Sequence, residues 1–563
     1  MSLGIKLIPL ISLEKVDNNS WAIQDSLASQ RHFLQYYISI IGFSIIIFSE
    51  YNVIKNLYKF LSIIYCSVYK EILLKNMQTK INSQTWNFQN SYIELPAKLY
   101  IKQLPVSVQN PQMIYFNTGL AKDIGLEFLS KDNIEVAEYF SGNKIPRGAS
   151  PISQAYAGHQ FGHFTMLGDG RAVLLGEQIN QNNQRYDIQL KGSGQTPFSR
   201  SGDGRATLSS MLREYIISES IHHLGIPTTR SLAVVQTGEN VYRETINDGA
   251  VLTRIASSHI RVGTFEYVIN FCSKEDLEIF IKYVIDRHYP EISDADNPIL
   301  ELLKVVMHKQ IDLIVHWIRV GFIHGVMNTD NMSIAGETID YGPCAFMNMY
   351  NPKTVFSSID RNGHYAFGNQ STIANWNLTV FAGTLLPLIS DNKEEAMQLA
   401  KDILNKFPEE YSNKWYQMMF EKLGITQPLN EDKVLVDTLL QLMEENKADY
   451  TNTFAALTLN KVSDDSLFTS SQFNDWRQQW ENRTNHTDKQ IETLKLMQSQ
   501  NPLVIPRNHL VESALEDAIQ GNKSQFNELL KLISKPYDYK SNHNNFQTIP
   551  SGFDDCYKTF CGT

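Results

Sequence analysis

The sequence predicts an α+β chain of two lobes, a small mostly β lobe and a larger helical lobe, followed by a helical C-terminal extension. Three observations predict this. In a motif-dense region of about 150 to 380, glycines and arginines cluster with short apolar runs, a pattern of strands and turns. A long amphipathic stretch, Leu302 to Val320, stops at Gly321, as a helix does at a glycine. From 390 onward the pattern is helical and charged, over Glu394–Phe407, Asp432–Asn446 and His509–Ile519. The 563 residues suffice for two to four domains. With 42% hydrophobic and 20% charged residues, the chain is that of a folded protein.

The first 76 residues differ from the rest. Phe33 to Ser49 holds no charge and is dominated by isoleucine. A membrane-spanning helix needs about 20 apolar residues, and this run is shorter and contains Gln35 and several serines. It starts too late for a simple signal peptide. It reads as an anchor, as a buried helix, or as sequence upstream of a true start at Met77, and the composition break at Met77 favours the third.

The motif-dense region follows. Ala172–Glu177 and Tyr186–Lys191 read as strands of one hairpin, and Ser231–Ala250 as another. Between them Thr207–Ile216 has helical spacing, with Leu208, Met211, Leu212 and Tyr215 on one face. No repeat and no long low-complexity linker is present. The tail after Lys535 reads as polar and irregular.

The most informative stretch is His324-Gly325-Val326-Met327-Asn328-Thr329-Asp330-Asn331, followed nine residues later by Asp340-Tyr341-Gly342. An Asn and an Asp at such spacing hold magnesium in protein kinases, because hard cations prefer oxygen ligands and the nucleotide supplies others. Lys191 at a strand end and Glu214, 23 residues on in the next helix, match the kinase pair that orients phosphates. The predicted fold is therefore protein-kinase-like. Its small lobe, with an N-terminal region, spans 77–270, the large lobe with the metal site 271–430, and the helical extension and tail 431–563. Yet the slot of the kinase base, two after the histidine, holds Val326, which puts ordinary γ-phosphoryl transfer in doubt.

Gly168-Asp169-Gly170-Arg171 and Gly202-Asp203-Gly204-Arg205 repeat one motif on either side of Lys191. Each alone reads as a turn, since Asp-Gly is a common turn dipeptide. As a pair, with Arg254 and Arg261, they suggest amides and guanidiniums converging on phosphate. Together Arg171, Arg205, Arg254 and Arg261 offer four cations. His159 and His163 stand four apart, but their glycines disfavour a helix and no third ligand is apparent, so a structural role is favoured over zinc. Cys66, Cys272, Cys344, Cys556 and Cys561 show no zinc spacing. A net charge of -10 argues against broad nucleic-acid binding.

The ordered set Tyr156–Glu177, Leu190–Arg205, Leu224–Arg230, Arg254–Glu266, His324–Pro343 and Asn501–His509 resembles the selenoprotein O family, over roughly residues 77 to 563. The resemblance implies a kinase-like fold that transfers AMP from ATP to Ser, Thr or Tyr hydroxyls of proteins, with the ATP flipped and pyrophosphate released. UMP transfer from UTP is described for bacterial members, with Mg2+ or Mn2+ as the metal. Carried over by motif, Gly168, Gly170, Arg171, Lys191, Asp203, Gly204, Arg254, Arg261 and Asp340 contact the nucleotide. Asp330 accepts the proton, Asn331 and Asp340 hold the metal, and Glu214 pairs with Lys191. A cytoplasmic monomer follows for a bacterial-type enzyme, a mitochondrial one for a eukaryote. No nucleic acid is expected as a partner, and no membrane unless 1–76 is a genuine anchor.

Two departures from the family pattern stand out. Residues 1–76 lie outside the resemblance. Cys561 takes the place of the selenocysteine of many eukaryotic relatives, while the loop Val355–Asp360, where some relatives are thought to carry its partner, has no cysteine and Cys344 is the nearest thiol. A redox lock is therefore doubtful. The alternative function is a nucleotide-binding pseudokinase scaffold without transfer activity.

Overall fold

The computed structural model describes residues 85–559 apart from residues 131, 161, 462–465, 485–489 and 541–543. The chain divides into Met1–Ile81 and Asn82–Thr563, and the described fold belongs to the second unit. The apolar run Phe33–Ser49, the candidate start Met77 and Cys561 lie outside the described residues.

The fold is mixed α+β: an antiparallel sheet, then mostly helices. The sheet runs in the order Tyr100–Lys102, Ile152–Gln154, Ala172–Ile179, Arg185–Lys191, Ile246–Ala256, Arg230–Tyr242 and Gln112–Phe116. A short strand, Ala206–Thr207, also pairs with Ile246–Ala256. Side chains alternate across a strand, so adjacent residues serve opposite faces. Leu174, Val234 and Leu252 join one core, while Leu175, Val235 and Val251 join another. The second core is closed by Val136 and Phe140 of helix Ile134–Ser141. Strands buried on both faces read as continuous apolar runs, as these do.

Helix Leu208–His223 covers the first face. Its N-cap Thr207 accepts from the Ser210 amide. The expected face of Leu208, Met211, Leu212 and Tyr215 is buried, but so are Ile216, Ile217 and Ile221, because helix Asn508–Ile519 packs against it as well. The register of the neighbouring hairpin sets Lys191 opposite both Ala172 and Leu252. This places its side chain at the head of the sheet, facing the helix.

The helical part is built on Pro298–Val320, capped by Asn297 and ended by Gly321 in the left-handed conformation. It begins four residues before the expected Leu302, since Asn297 and Pro298 form a cap and a first-turn proline. Helices Gln370–Ile389, Lys393–Leu404 and Phe407–Lys422 pack against it. The expected helix Glu394–Phe407 thus ends early, at Leu404, and Phe407 opens the next one. By length and composition Phe367–Ile389 could cross a membrane, yet Ile373, Leu378, Phe381 and Leu385 are buried in this core.

The tail is less irregular than its composition suggests. Short helices form at Asn544–Gln547 and Phe553–Cys556. Thr559 then bridges to Ser357, and its hydroxyl donates to the Pro343 carbonyl at 2.7 Å.

Candidate active site

Where the sheet meets the helical part, a cavity of about 360 Å3 opens. Gly168, Gly170, Arg171, Lys191, Asp203, Gly204, Arg254, Arg261, Asp330, Asn331 and Asp340 all line it. The sequence separates these residues by up to 172 positions; the fold makes them neighbours.

The charged centre is Asp340. Lys191 donates to its Oδ1 at 3.0 Å and Arg254 at 2.6 Å, and Arg261 donates to Oδ2 at 3.2 Å. Burial alone would raise this carboxyl, but Arg254, Lys191 and Arg261 hold it well below the usual carboxylate range. Asp340 has a φ of 64°, a left-handed conformation that is costly outside glycine. The three cations fix a carboxylate on that turn.

Glu214 stands behind this ring. It accepts from Lys191 at 2.6 Å and from two Arg254 nitrogens at 2.6 and 3.0 Å. Burial opposes its charge, yet Arg254 and Lys191 keep its carboxyl low. The predicted Lys191–Glu214 pair is therefore formed, with Arg254 as a third member that sequence spacing does not reveal. Buried charges tolerate such a site only when paired in this way.

Arg261 leads into helix Val262–Phe271. Its guanidinium donates to the Asp330 carbonyl at 2.9 Å and lies over the Tyr156 ring, 4.4 Å from the centroid. Burial pushes the Asp330 carboxyl up to about 7, against the pull of Arg261. Asp330 Oδ1 is buried without a hydrogen-bond partner, and a Cβ added to Gly158 would come within 2.6 Å of it. Val326 lines the same cavity.

Asn331 donates from its amide nitrogen to the Val326 carbonyl at 3.1 Å, so its amide oxygen is the end that could hold a cation. A carboxylate offers about four lone-pair positions, and three cations occupy three of those on Asp340. Both residues thus present a hard oxygen, which fits magnesium or manganese. Among the described residues no three His, Cys, Asp or Glu side chains converge in a way that could hold a metal ion.

Arg205 departs from expectation. It lines the cavity, but its guanidinium donates to the Val106 and Ser107 carbonyls and pairs with Glu239 at 3.1 Å. All four expected arginines, Arg171, Arg205, Arg254 and Arg261, thus line the cavity, but the guanidinium of Arg205 is engaged by these protein oxygens. Arg243, which carries no motif, also lines the cavity and grips Asp203 through two nitrogens, at 2.9 and 3.0 Å. Tyr156, Asp169, Gln189 and Arg200 line the cavity too. All four lie inside stretches whose pattern is legible, Tyr156–Glu177, Tyr186–Lys191 and Leu190–Arg205, but nothing in those patterns marks these four side chains as facing the cavity.

The histidines separate. His159 and His163 lie on the hairpin Ala157–Gln160 and His163–Met166, where His159 contacts Glu266 and His163 is exposed. Cys344 is buried and unbridged, and burial pushes its thiol up to about 12.

Residues 82–534 match the model of the family described as protein adenylyltransferase SelO. The chain is 53% identical over 480 residues to the protein nucleotidyltransferase YdiU of Brevibacillus brevis, covering 85% of this chain and 98% of that one. It is 52% identical to the protein of the same name from Pelagibacter ubique, over 85% of this chain and 99% of that one. The Clostridium botulinum protein nucleotidyltransferase YdiU is 52% identical, over 87% of this chain and all of its own length. With so much of both chains aligned, and with the charged cavity inside the aligned region, this chain belongs to the SelO family.

Proposed function

We propose that this chain is a protein nucleotidyltransferase that moves AMP from ATP to a hydroxyl of a protein acceptor, with pyrophosphate as the second product. The observation that carries the proposal is the ring of Lys191, Arg254 and Arg261 around one carboxylate, in a cavity that also holds Asp330. That ring is a preformed polyanion site, since three buried cations already bind the anion nearest to them. Bound phosphates compete with Asp340 for the same donors. The sheet-bearing part, 77–270, and the helical part, 271–430, then act as the two lobes of a kinase-like enzyme, and 431–563 as its extension.

In the reaction the acceptor oxygen bonds to the α-phosphorus, and the bond from that phosphorus to the bridging oxygen breaks. The electron pair leaves on pyrophosphate, and the hydroxyl proton passes to Asp330. Lys191, Arg254 and Arg261 oppose the charge that develops on the leaving oxygen, which is where such donors lower a barrier most. Glu214 keeps Lys191 and Arg254 extended into the cavity. Asn331 and Asp340 would hold Mg2+ or Mn2+, whose charge offsets that of the phosphates. Val326 provides no proton acceptor, and Asp330, next to Asn331 in sequence, lines the same cavity and takes that role. Ser, Thr and Tyr hydroxyls all suit this chemistry, and UTP in place of ATP changes only the base.

ATP labelled at either the α- or the γ-phosphate tests this, with magnesium or manganese and a protein acceptor. Label reaching protein from the α-position alone is the expected result, and Asp340→Asn should lower it on the order of 100-fold in a folded protein. Label from the γ-position would make the chain a kinase with a displaced base. Bound ATP with no transfer from either position would leave the scaffold reading.

A further inference from the structure

The hairpin Ala157–Gln160 and His163–Met166 has two faces with different chemistry. Antiparallel partners share a face, and here His159 opposes Phe164 and Ala157 opposes Met166. Gly158 and Gln160 therefore occupy the other face. Gly158 abuts Asp330 so closely that it has no room for a Cβ, and Gln160 lines the cavity. The His159 amide donates to the Thr329 hydroxyl at 2.7 Å, and its ring contacts Glu266, so the hairpin is clasped to the loop that carries Asp330.

The opposite face holds the buried Ala157 and the partly buried His159, and beside them exposed apolar side chains. Phe164 is 42% exposed, Met166 50%, Phe271 44% and Trp376 40%. The aromatic ones are joined: the His159 ring lies edge-on to Phe164 at 5.6 Å and to Trp376 at 5.5 Å, and Phe164 meets Phe271 at 6.3 Å, while Met166 shares the strand face of Phe164. Three separate elements supply these side chains. Single exposed apolar residues are ordinary, but a joined aromatic patch marks a binding surface.

We propose that this patch docks the acceptor protein, through apolar residues that flank the hydroxyl to be modified. The proposal rests on the transferase reading above. Its occupant follows from position and charge. The hairpin separates the patch from Asp330 by one layer of backbone, so a chain lying on the patch passes over the hairpin edge to reach the cavity. A layer of about 10 Å is crossed by roughly three extended residues. A lipid surface is disfavoured, since the chain bears a net charge of -10. A stable dimer buries roughly 20–30 residues a side, far more than this patch offers. A short-lived partner such as a substrate suits its size, and aromatic side chains suit such contacts.

Two synthetic peptides test this, each with one tyrosine and equal net charge. One has Leu and Phe three and four positions away on either side, and the other has Ser and Gln there. Wild-type protein should modify the apolar peptide with at least about five-fold higher kcat/KM, through KM. Phe164→Ser with Phe271→Ser should abolish that preference while ATP Kd and the rate on the polar peptide stay unchanged. Equal use of both peptides by wild type, or a preference that survives the double substitution, would overturn the proposal. So would a wild-type dimer that the double substitution dissolves, or vesicle binding that it abolishes, each of which would assign the patch elsewhere. Should wild type bind ATP yet label neither peptide, the transferase reading falls and the docking proposal with it.

Discussion

Gly168-Asp169-Gly170-Arg171 and Gly202-Asp203-Gly204-Arg205 line the same cavity on either side of Lys191, yet their aspartates meet opposite surroundings. Asp169 is buried, and its carboxylate accepts from the Gln154 amide and from Gln189 at 3.1 and 3.2 Å. Burial pushes it up to about 6, against Arg261 and Arg254. Asp203 is half-exposed, and its hydrogen bonds to Arg243 hold it below the usual carboxylate range despite partial burial. The glycines differ too. Gly168 and Gly204 have positive φ values of 126° and 67°, whereas Gly202 does not. Identical tetrapeptides thus acquire different acidities and backbone conformations from what packs on them. The first copy lies beneath Phe198, with Thr196 donating to the Asp169 carbonyl at 2.7 Å.

The sharpest way to break the comparison is at the strained glycines. A Cβ on Gly204 would sit 2.1 Å from the Gly194 carbonyl oxygen, which is backbone and cannot turn aside. Gly204→Ala should cost about 3 kcal/mol or more, from overlap and from the left-handed φ. On Gly168 a Cβ would meet the root of the Phe198 ring at 2.4 Å, and Gly168→Ala should cost about 2–4 kcal/mol. Urea midpoints would measure both, and a loss below 1 kcal/mol at Gly204 would contradict this packing.

Next in size is Asp169→Asn, with the opposite sign. A carboxyl raised to about 6 binds its proton more tightly in the folded chain than in the unfolded one. Its protonated form is the stable one, so stability falls as pH rises from about 4 through 6. Asparagine keeps the acceptor for Gln154 and Gln189 without that cost. The variant should match wild type near pH 4 and exceed it by up to about 3 kcal/mol at pH 7.5, at about 1.4 kcal/mol per unit. Equal stabilities at pH 7.5 would show that Asp169 is not held in a raised state.

Much of this site was legible before any coordinates, and the reason is local. The strand ending at Lys191, the helix carrying Glu214 and the loop from Asp330 to Asp340 each follow from short-range pattern and a spacing with chemical meaning. The role of Arg254 in gripping both Glu214 and Asp340 was not legible, because sheet register decides it. Nor was the fate of Arg205. Its neighbours Val106, Ser107 and Glu239 are local only in the folded sheet, and they capture a guanidinium that the motif seemed to aim at phosphate. Arg243, at a hairpin turn, gave no warning at all. The two Gly-Asp-Gly-Arg copies make the same point, since the sequence reports the same four residues twice while Phe198 and Arg243 decide what they do.

A smaller effect is expected at Asp203. Its carboxyl lies low, so its pairing with Arg243 contributes above the unfolded pKa and is lost as pH falls through the folded one. Because the pair is partly exposed, Asp203→Asn should cost only about 0.3–1 kcal/mol at pH 7, less in high salt. Nucleotide binding is the more sensitive measurement. If Asp203 holds Arg243 at the cavity wall, the variant should weaken ATP about two- to five-fold at low salt, and Arg243→Gln should do the same without adding to it. Additive losses would mean that the two residues act separately.

The smallest effect belongs to Gly202, the counterpart in the second copy of strained Gly168. It has no positive φ, and a Cβ there would meet only the Ser199 carbonyl oxygen, at 3.2 Å. That contact is tight but sits on an exposed turn, where Ser199 can give by a few tenths of an ångström. Gly202→Ala also lowers the freedom of the unfolded chain, which favours folding by about 0.4–1 kcal/mol. The two terms nearly cancel, so stability should change by less than about 0.5 kcal/mol and ATP affinity should hold. Set beside Gly168→Ala, this measures how far sequence identity departs from structural identity in the repeated motif. A loss at Gly202 as large as that at Gly168 would mean that both copies adopt one constrained loop, and the contrast between them would collapse.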